Sequence, residues 1–373
     1  MNNNLRLGSL FGIPFFVNPS WFLVLGLVTL TYGQQLSLFP QLTGIAPWGL
    51  GLATALLLFA SVVAHELGHS LLAIAQGIEV KSITLFLFGG LANLEKESET
   101  PLEAFAVAIA GPLVSLILFG LLAVIGANLT LPLPFQAIIS LLAAINLALA
   151  LFNLIPGLPL DGGNILKALV WKWTGNQNQG LLWASRAGQV VGWLAVTIGG
   201  LGILRLLPVG DFWTVLVGVF LLQNAGASAR QAQLKEAMAA YTAQDAVIAN
   251  SPVVEQSLTL RDFVNTYVIG QTPWRQFLVT DAQGQLVGTL AVEALKTIPT
   301  SDWPQITLQA VMASPEALPQ VKAHRSLFEA AQQLEQTKMA QLIVVQDSGE
   351  VVGLLEKASI VQCLQKSFAP AGI

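Results

Sequence analysis

The chain has 373 residues, of which only 10% are charged, with a formal net charge of -4 and a mean hydropathy of +0.66. That composition excludes an ordinary soluble globular protein, and the lack of a basic cluster leaves no electrostatic footprint for nucleic acid. The single cysteine, Cys363, excludes an intramolecular disulfide and a multi-thiolate metal site, while the three histidines, His65, His69 and His324, allow a metal site in the apolar region no more than two imidazoles.

The first 64 residues contain one charged side chain, Arg6, before an apolar stretch from about Gly12 to Tyr32. It is long for a signal core and no A-x-A cleavage pattern follows, so it reads as a retained first span. Five further segments, roughly 49–75, 102–126, 134–155, 181–206 and 211–227, bring the expected transmembrane helices to about six. Arg6, Lys81, Lys96, Lys167, Lys172, Arg230 and Lys235 fall in linkers on one side, and the opposite linkers carry no lysine or arginine. The positive-inside rule then places both termini in the cytoplasm of a multi-pass protein of the cell membrane. Arg186 and Arg205, near the ends of the fifth span, can snorkel to the interface.

Residues 79–94, EVKSITLFLFGGLANL, are too short to cross and are rich in β-branched and aromatic side chains. They read as a β-hairpin turning at Gly89-Gly90 and dipping into the membrane face, where such backbone survives only against protein or a wet cavity.

After residue 230 the pattern becomes that of soluble α and β segments. FLVTDAQGQLVGTL at 277–290 repeats as LIVVQDSGEVVGLL at 342–355, with Gly284 over Gly349 and Gly288 over Gly353. The two units resemble a tandem pair of cystathionine-β-synthase-type (CBS) domains, at 243–305 and 306–368, after a membrane domain over 1–230 and a linker over 231–242. Members of that family often hold adenine nucleotides with a Thr or Ser and an Asp after the second strand. Here the stretches read GTLAVEAL and GLLEKASI, which tells against nucleotide binding and leaves regulation or homodimerisation as the expected role.

The chemistry lies in VVAHELGHSLLA, residues 62–73. His65 and His69, four apart, share a helix face within reach of one ion, and Glu66 is rotated by ~100° so that it can approach a water without ligating. Three ionisable groups inside a span cost at least ~2.5 kcal/mol each, which packing does not justify. A tetrahedral catalytic zinc needs a third protein ligand, and with no other histidine or cysteine in the membrane domain it must be a carboxylate. Asp211 falls on the wrong side, and Glu95, Glu97, Glu99 and Glu103 belong to a solvated charge run. Asp161, in FNLIPGLPLDGG, sits in an apolar junction where Pro156 and Pro159 break the helix and Gly162 and Gly163 let the chain turn back. The bland alternative is an aspartate capping the next helix. GPLVS at 111–115 reads equally as close packing of helices and as a direct role beside the site, and Asn146 as a hydrogen bond within the bundle.

HELGH at 65–69 with N-x-x-P-x-x-P-L-D-G-G at 153–163 resembles the site-2 protease family of intramembrane zinc metalloproteases. The resemblance implies one Zn2+ per chain on His65, His69 and Asp161, Glu66 as general base, and Asn153 holding the substrate backbone or the developing oxyanion. Single-span membrane proteins within the lipid would be the substrates. A CBS-gated metal transporter or channel is the rival reading, which Glu66→Gln would separate from proteolysis.

Overall fold

The computed structural model describes residues 4–86, 89–248, 251–269, 274–314 and 319–368. The chain divides into two compact units, Met1–Ala232 and Gln233–Ile373.

In the first unit, β1 (Leu5–Leu10) and β2 (Ile13–Val17) form an antiparallel hairpin turned by Phe11 and Gly12, both at positive φ. Helix α1 follows at Ser20–Leu36. The sequence reading expected one span from Gly12, but Ile13–Val17 alternates buried and half-buried side chains, a strand pattern, and Pro19 disfavours helix in the residue before it. Helix α1 is therefore 17 residues long, at the short end for a crossing.

Five described helices are long and apolar enough to cross a membrane: α2 (Ala46–Ala75), α3 (Pro101–Asn128), α4 (Leu133–Asn153), α6 (Gln177–Ile203) and α7 (Phe212–Ala239). Between α4 and α6 lies the short, amphipathic α5 (Asp161–Thr174), ended by Gly175 in the left-handed conformation. Thr100 and Glu103 close a reciprocal capping box at the start of α3. On α3 the side chains of Leu113, Ile117, Leu121 and Val124 are all more than half exposed. In water such a stripe would cost several kcal/mol; against lipid it costs nothing, as a multi-pass membrane protein requires.

Strands β3 (Val80–Phe86) and β4 (Gly89–Leu94) pair antiparallel, and β2 pairs parallel with β3, giving the order β1-β2-β3-β4. Ile13, Phe15, Val17, Ile83 and Leu85 cluster with Phe59 and Ala73 of α2, so the expected hairpin belongs to a four-stranded sheet packed on that helix. Gly89 and Gly90, expected to make the turn, begin β4, opposite Phe86 and Leu85.

The second unit repeats one pattern. Strand β5 (Val253–Glu255), the single-turn helix α8 (Leu260–Phe263), β6 (Gln276–Thr280) and β7 (Leu286–Ala291) are echoed by β8 (Gln320–Lys322), α9 (Leu327–Thr337), β9 (Gln341–Val345) and β10 (Val351–Glu356), with α10 (Lys357–Phe368) closing the chain. In each sheet the first strand pairs parallel with the second and the second antiparallel with the third. Leu278 of the first repeat shares a buried cluster with Ile343, Val345 and Leu354 of the second. The turns at Gly284 and Gly349, aligned by sequence, both use positive φ, at 75° and 90°.

Candidate metal centre

One turn of α2 carries His65 and His69 on the same face, and the first residue of α5 brings Asp161 to them. His65 Nε2 lies 3.1 Å from Asp161 Oδ2, His69 Nε2 lies 3.3 Å from Asp161 Oδ1, and the two Nε2 atoms are 3.4 Å apart. Among the described residues this is the one group of His, Cys, Asp or Glu whose ligand atoms cluster within 4.8 Å. Their side chains are only 4%, 13% and 18% exposed.

The donor set fits a zinc ion. Ligands at ~2.1 Å around a tetrahedral centre stand roughly 3.4 Å from one another, the spacing seen here. The tautomers fit as well. His69 Nδ1 is 2.7 Å from the Val107 carbonyl, which can only accept, so Nδ1 carries the proton and Nε2 presents a lone pair to the cluster. In the neutral ring that lone pair faces the Asp161 carboxylate, an arrangement that a bound cation would complete.

Asp161 is aimed by close packing. Residues 154–160 fold onto α6, with Leu158 N–H donating to the Ala184 carbonyl at 3.1 Å and Gly157 backed against Gly188. Gly162 and Gly163, expected to let the backbone turn, do so without positive φ. A Cβ at Gly162 would strike the Leu154 and Ile155 carbonyls, and one at Gly163 the backbone of Gly157 and Leu158. They are glycines so that α5 can start against the loop before it.

Glu66 faces a cavity of about 500 Å3 shared by His65, His69, Asp161 and Asn153, the last residue of α4. The Glu66 carboxylate lies against the Gly90 backbone of β4, where a Cβ would come within 2.7 Å of its Cδ. From α3, Gly111 approaches both imidazoles: a Cβ there would fall on His69 Nε2 and within 2.7 Å of His65 Nε2. Four residues on, the buried Ser115 places Oγ 2.9 Å from His65 Nδ1. The sequence reading leaves 111–115 between packing and a direct role; the signal for the second is a hydroxyl inside a span, one turn after a glycine.

The other acids do different work. Asp211 accepts from the Thr214 N–H and hydroxyl, both at 2.9 Å, and these bonds hold its carboxyl below the usual aspartate value. Glu95 pairs with Lys81, and Lys96, hydrogen-bonded to Glu99, keeps that carboxyl low. Glu97 is exposed, as expected of the charge run, and has a further role. It lines the cavity and accepts from Lys167 Nζ and Gln177 Nε2, both at 2.7 Å, tying the loop after β4 to α5 and α6. Asn146 donates to Ser61 Oγ at 3.1 Å, linking α4 to α2.

Comparison with known proteins places this geometry among relatives. The profile of Peptidase family M50 matches residues 53–135 and 130–195. A protein of Synechocystis sp. named "Putative zinc metalloprotease sll0528" is 69% identical over 369 residues, covering 99% of this chain and 97% of that one. Among solved structures, the site-2 protease from Methanocaldococcus jannaschii covers 61% of this chain and 95% of its own at 28% identity and a TM-score of 0.44. The structure of CBSX2 in complex with AMP covers 34% of this chain and 98% of its own at 22% identity and a TM-score of 0.27.

Proposed function

Starting from the fact that this chain belongs to peptidase family M50, the site-2 protease family of zinc metalloproteases, we propose that it cleaves single-span membrane proteins within or near their transmembrane segments. The observation that carries the proposal is Glu66 sharing one cavity, inside a membrane-spanning helix bundle, with the cluster of His65, His69 and Asp161.

In this reading His65, His69 and Asp161 hold the ion. When bound, zinc supplies a Lewis acid that polarises the scissile carbonyl and lowers the pKa of water. Glu66 is the general base, taking a proton from the attacking water on its carboxylate and passing it to the leaving amine. Asn153 holds the substrate backbone or the oxygen on which charge develops.

A peptide bond in a helix has its carbonyl and amide tied up, so the substrate has to unwind before it can react. Strand β4 is one of the two outer strands of its sheet and its backbone touches Glu66, so an extended substrate can pair with that edge and satisfy its freed backbone groups beside the base.

Both termini face the cytoplasm of the cell membrane in this reading. Residues 1–230 form the protease domain, 231–242 the linker, and 243–305 and 306–368 the CBS pair, which regulates access or joins two chains as a homodimer. Adenine nucleotide is not the expected ligand of that pair. One cavity there, of about 570 Å3, is lined among the described residues by Asp245 and Glu356 and by no lysine or arginine, which disfavours phosphate in it.

The test is co-expression with a panel of tagged single-span proteins, comparing wild type with Glu66→Gln. A fragment made by wild type alone, with zinc content equal in both, supports the proposal. Identical fragment patterns across the panel would sink it.

A further inference from the structure

We propose that Ser115 is a positioning residue, fixing the tautomer and ring angle with which His65 meets the metal; the inference rests on the zinc-site reading above. Ser115 is fully buried on α3, and its Oγ is 2.9 Å from His65 Nδ1.

A neutral imidazole has one proton to place. Put on Nε2, it would point into the cluster, where Asp161 Oδ2 stands 3.1 Å away, and no lone pair would remain for an ion. Put on Nδ1, it is donated to Ser115 Oγ, and Nε2 turns its lone pair toward Asp161 and His69. A hydroxyl oxygen carries two lone pairs beside its own proton, so Ser115 Oγ can accept the imidazole N–H at this distance. Ser115 can therefore do for His65 what the Val107 carbonyl does for His69 at 2.7 Å.

Helix α3 thus meets the two histidines at a four-residue spacing: a carbonyl at Val107, a bare Cα at Gly111 and a hydroxyl at Ser115. Each ring is held at Nδ1, and the missing side chain leaves room for both Nε2 atoms. Small residues also let α2 and α3 pack closely, as at Gly68 against Ala110, so packing alone would be served equally by alanine at position 115. The hydroxyl is what packing does not require. A polar partner of this kind is commonly worth ~10- to 100-fold in metal affinity.

The experiment measures zinc affinity by chelator competition, and the visible spectrum of the cobalt-substituted form, on the full chain in detergent. Ser115→Ala should weaken zinc at least ~10-fold and alter the cobalt spectrum, and Ser115→Thr, which keeps the hydroxyl, should restore both. Wild-type affinity and spectrum in Ser115→Ala would overturn the inference. If Ser115→Ala melts below wild type, the paired variants decide: recovery in Ser115→Thr alone supports the role, and equal loss in both overturns it. Wild-type zinc binding indifferent to His65→Ala would overturn the zinc-site reading and this inference with it.

Discussion

Nε2 of His65 and Oδ2 of Asp161 stand 3.1 Å apart although 96 residues separate them in the chain. Two elements make that contact, one turn of α2 and the first residue of α5, and neither holds a metal alone. Asp161→Asn keeps the volume and one acceptor but removes the charge that balances the ion. Zinc affinity should fall on the order of 100-fold or more, with proteolysis lost in parallel. Atomic absorption after dialysis against a weak chelator measures it; full retention of zinc would exclude Asp161 as a ligand.

Gly111 is the position on α3 where a side chain has no room, because a Cβ would fall on His69 Nε2. Gly111→Ala changes no chemistry and removes no hydrogen bond, and alanine favours the helix by about 1 kcal/mol over glycine. The variant should therefore fold and melt near wild type while its zinc affinity drops at least ~10-fold, as expected when ligands lose their alignment. Equal zinc affinity in both would mean that the imidazoles lie further from α3 than described.

The motif residues were legible because their chemistry conflicts with their surroundings. Histidines and a glutamate in a span advertise a function, and the lone acid in an apolar junction completes the set. What stayed hidden was relational. Strand β2 reads as part of a span because Ile13–Val17 is as apolar as a helix and only five residues long, too short for period 2 to declare itself. The three-residue strands β5 and β8 carry no readable period at all. Gly90, Gly111 and Gly162 are one residue type with one cause, a neighbour too close for a Cβ, and sequence names the glycine without naming the neighbour. The bond from Lys167 to Glu97 spans 70 residues, which local pattern cannot see.

Strand β4 offers a test of substrate pairing that needs no knowledge of the substrate. Successive N–H groups of a strand point to opposite sides, so of Leu91 and Ala92 one donates toward β3 and the other toward the open edge. Proline introduced at each position in turn should separate the two roles. The variant that loses the inner donor should lower the melting temperature. The variant that loses the outer donor should melt like wild type and still cut a given single-span substrate ~5-fold more slowly, the loss of one backbone hydrogen bond at about 1 kcal/mol. Unchanged cleavage in both variants would remove β4 from the mechanism.

Gly353 of β10 sits at φ +154° beside a register shift in the pairing with β9. A Cβ there would come within 2.5 Å of Ser251 Oγ and Val247 Cγ1. Ser251 cannot retreat cheaply, because its hydroxyl accepts from Leu354 N–H at 3.0 Å and donates to the Ile248 carbonyl at 2.8 Å. Gly353→Ala should therefore cost the second unit about 2 kcal/mol, from strained backbone and a displaced hydrogen-bonded serine. Gly288, the aligned position of the first repeat, has an ordinary φ, and a Cβ there would press on the flexible Met312 side chain and come within 2.9 Å of the Ala313 carbonyl. Gly288→Ala should cost less, since it strains no torsion and Met312 can yield. Limited proteolysis of the full chain in detergent, following loss of the segment after residue 233 against denaturant, reads both. Equal sensitivity in the two variants would show that the repeats, alike in sequence, do not differ at this bulge as described.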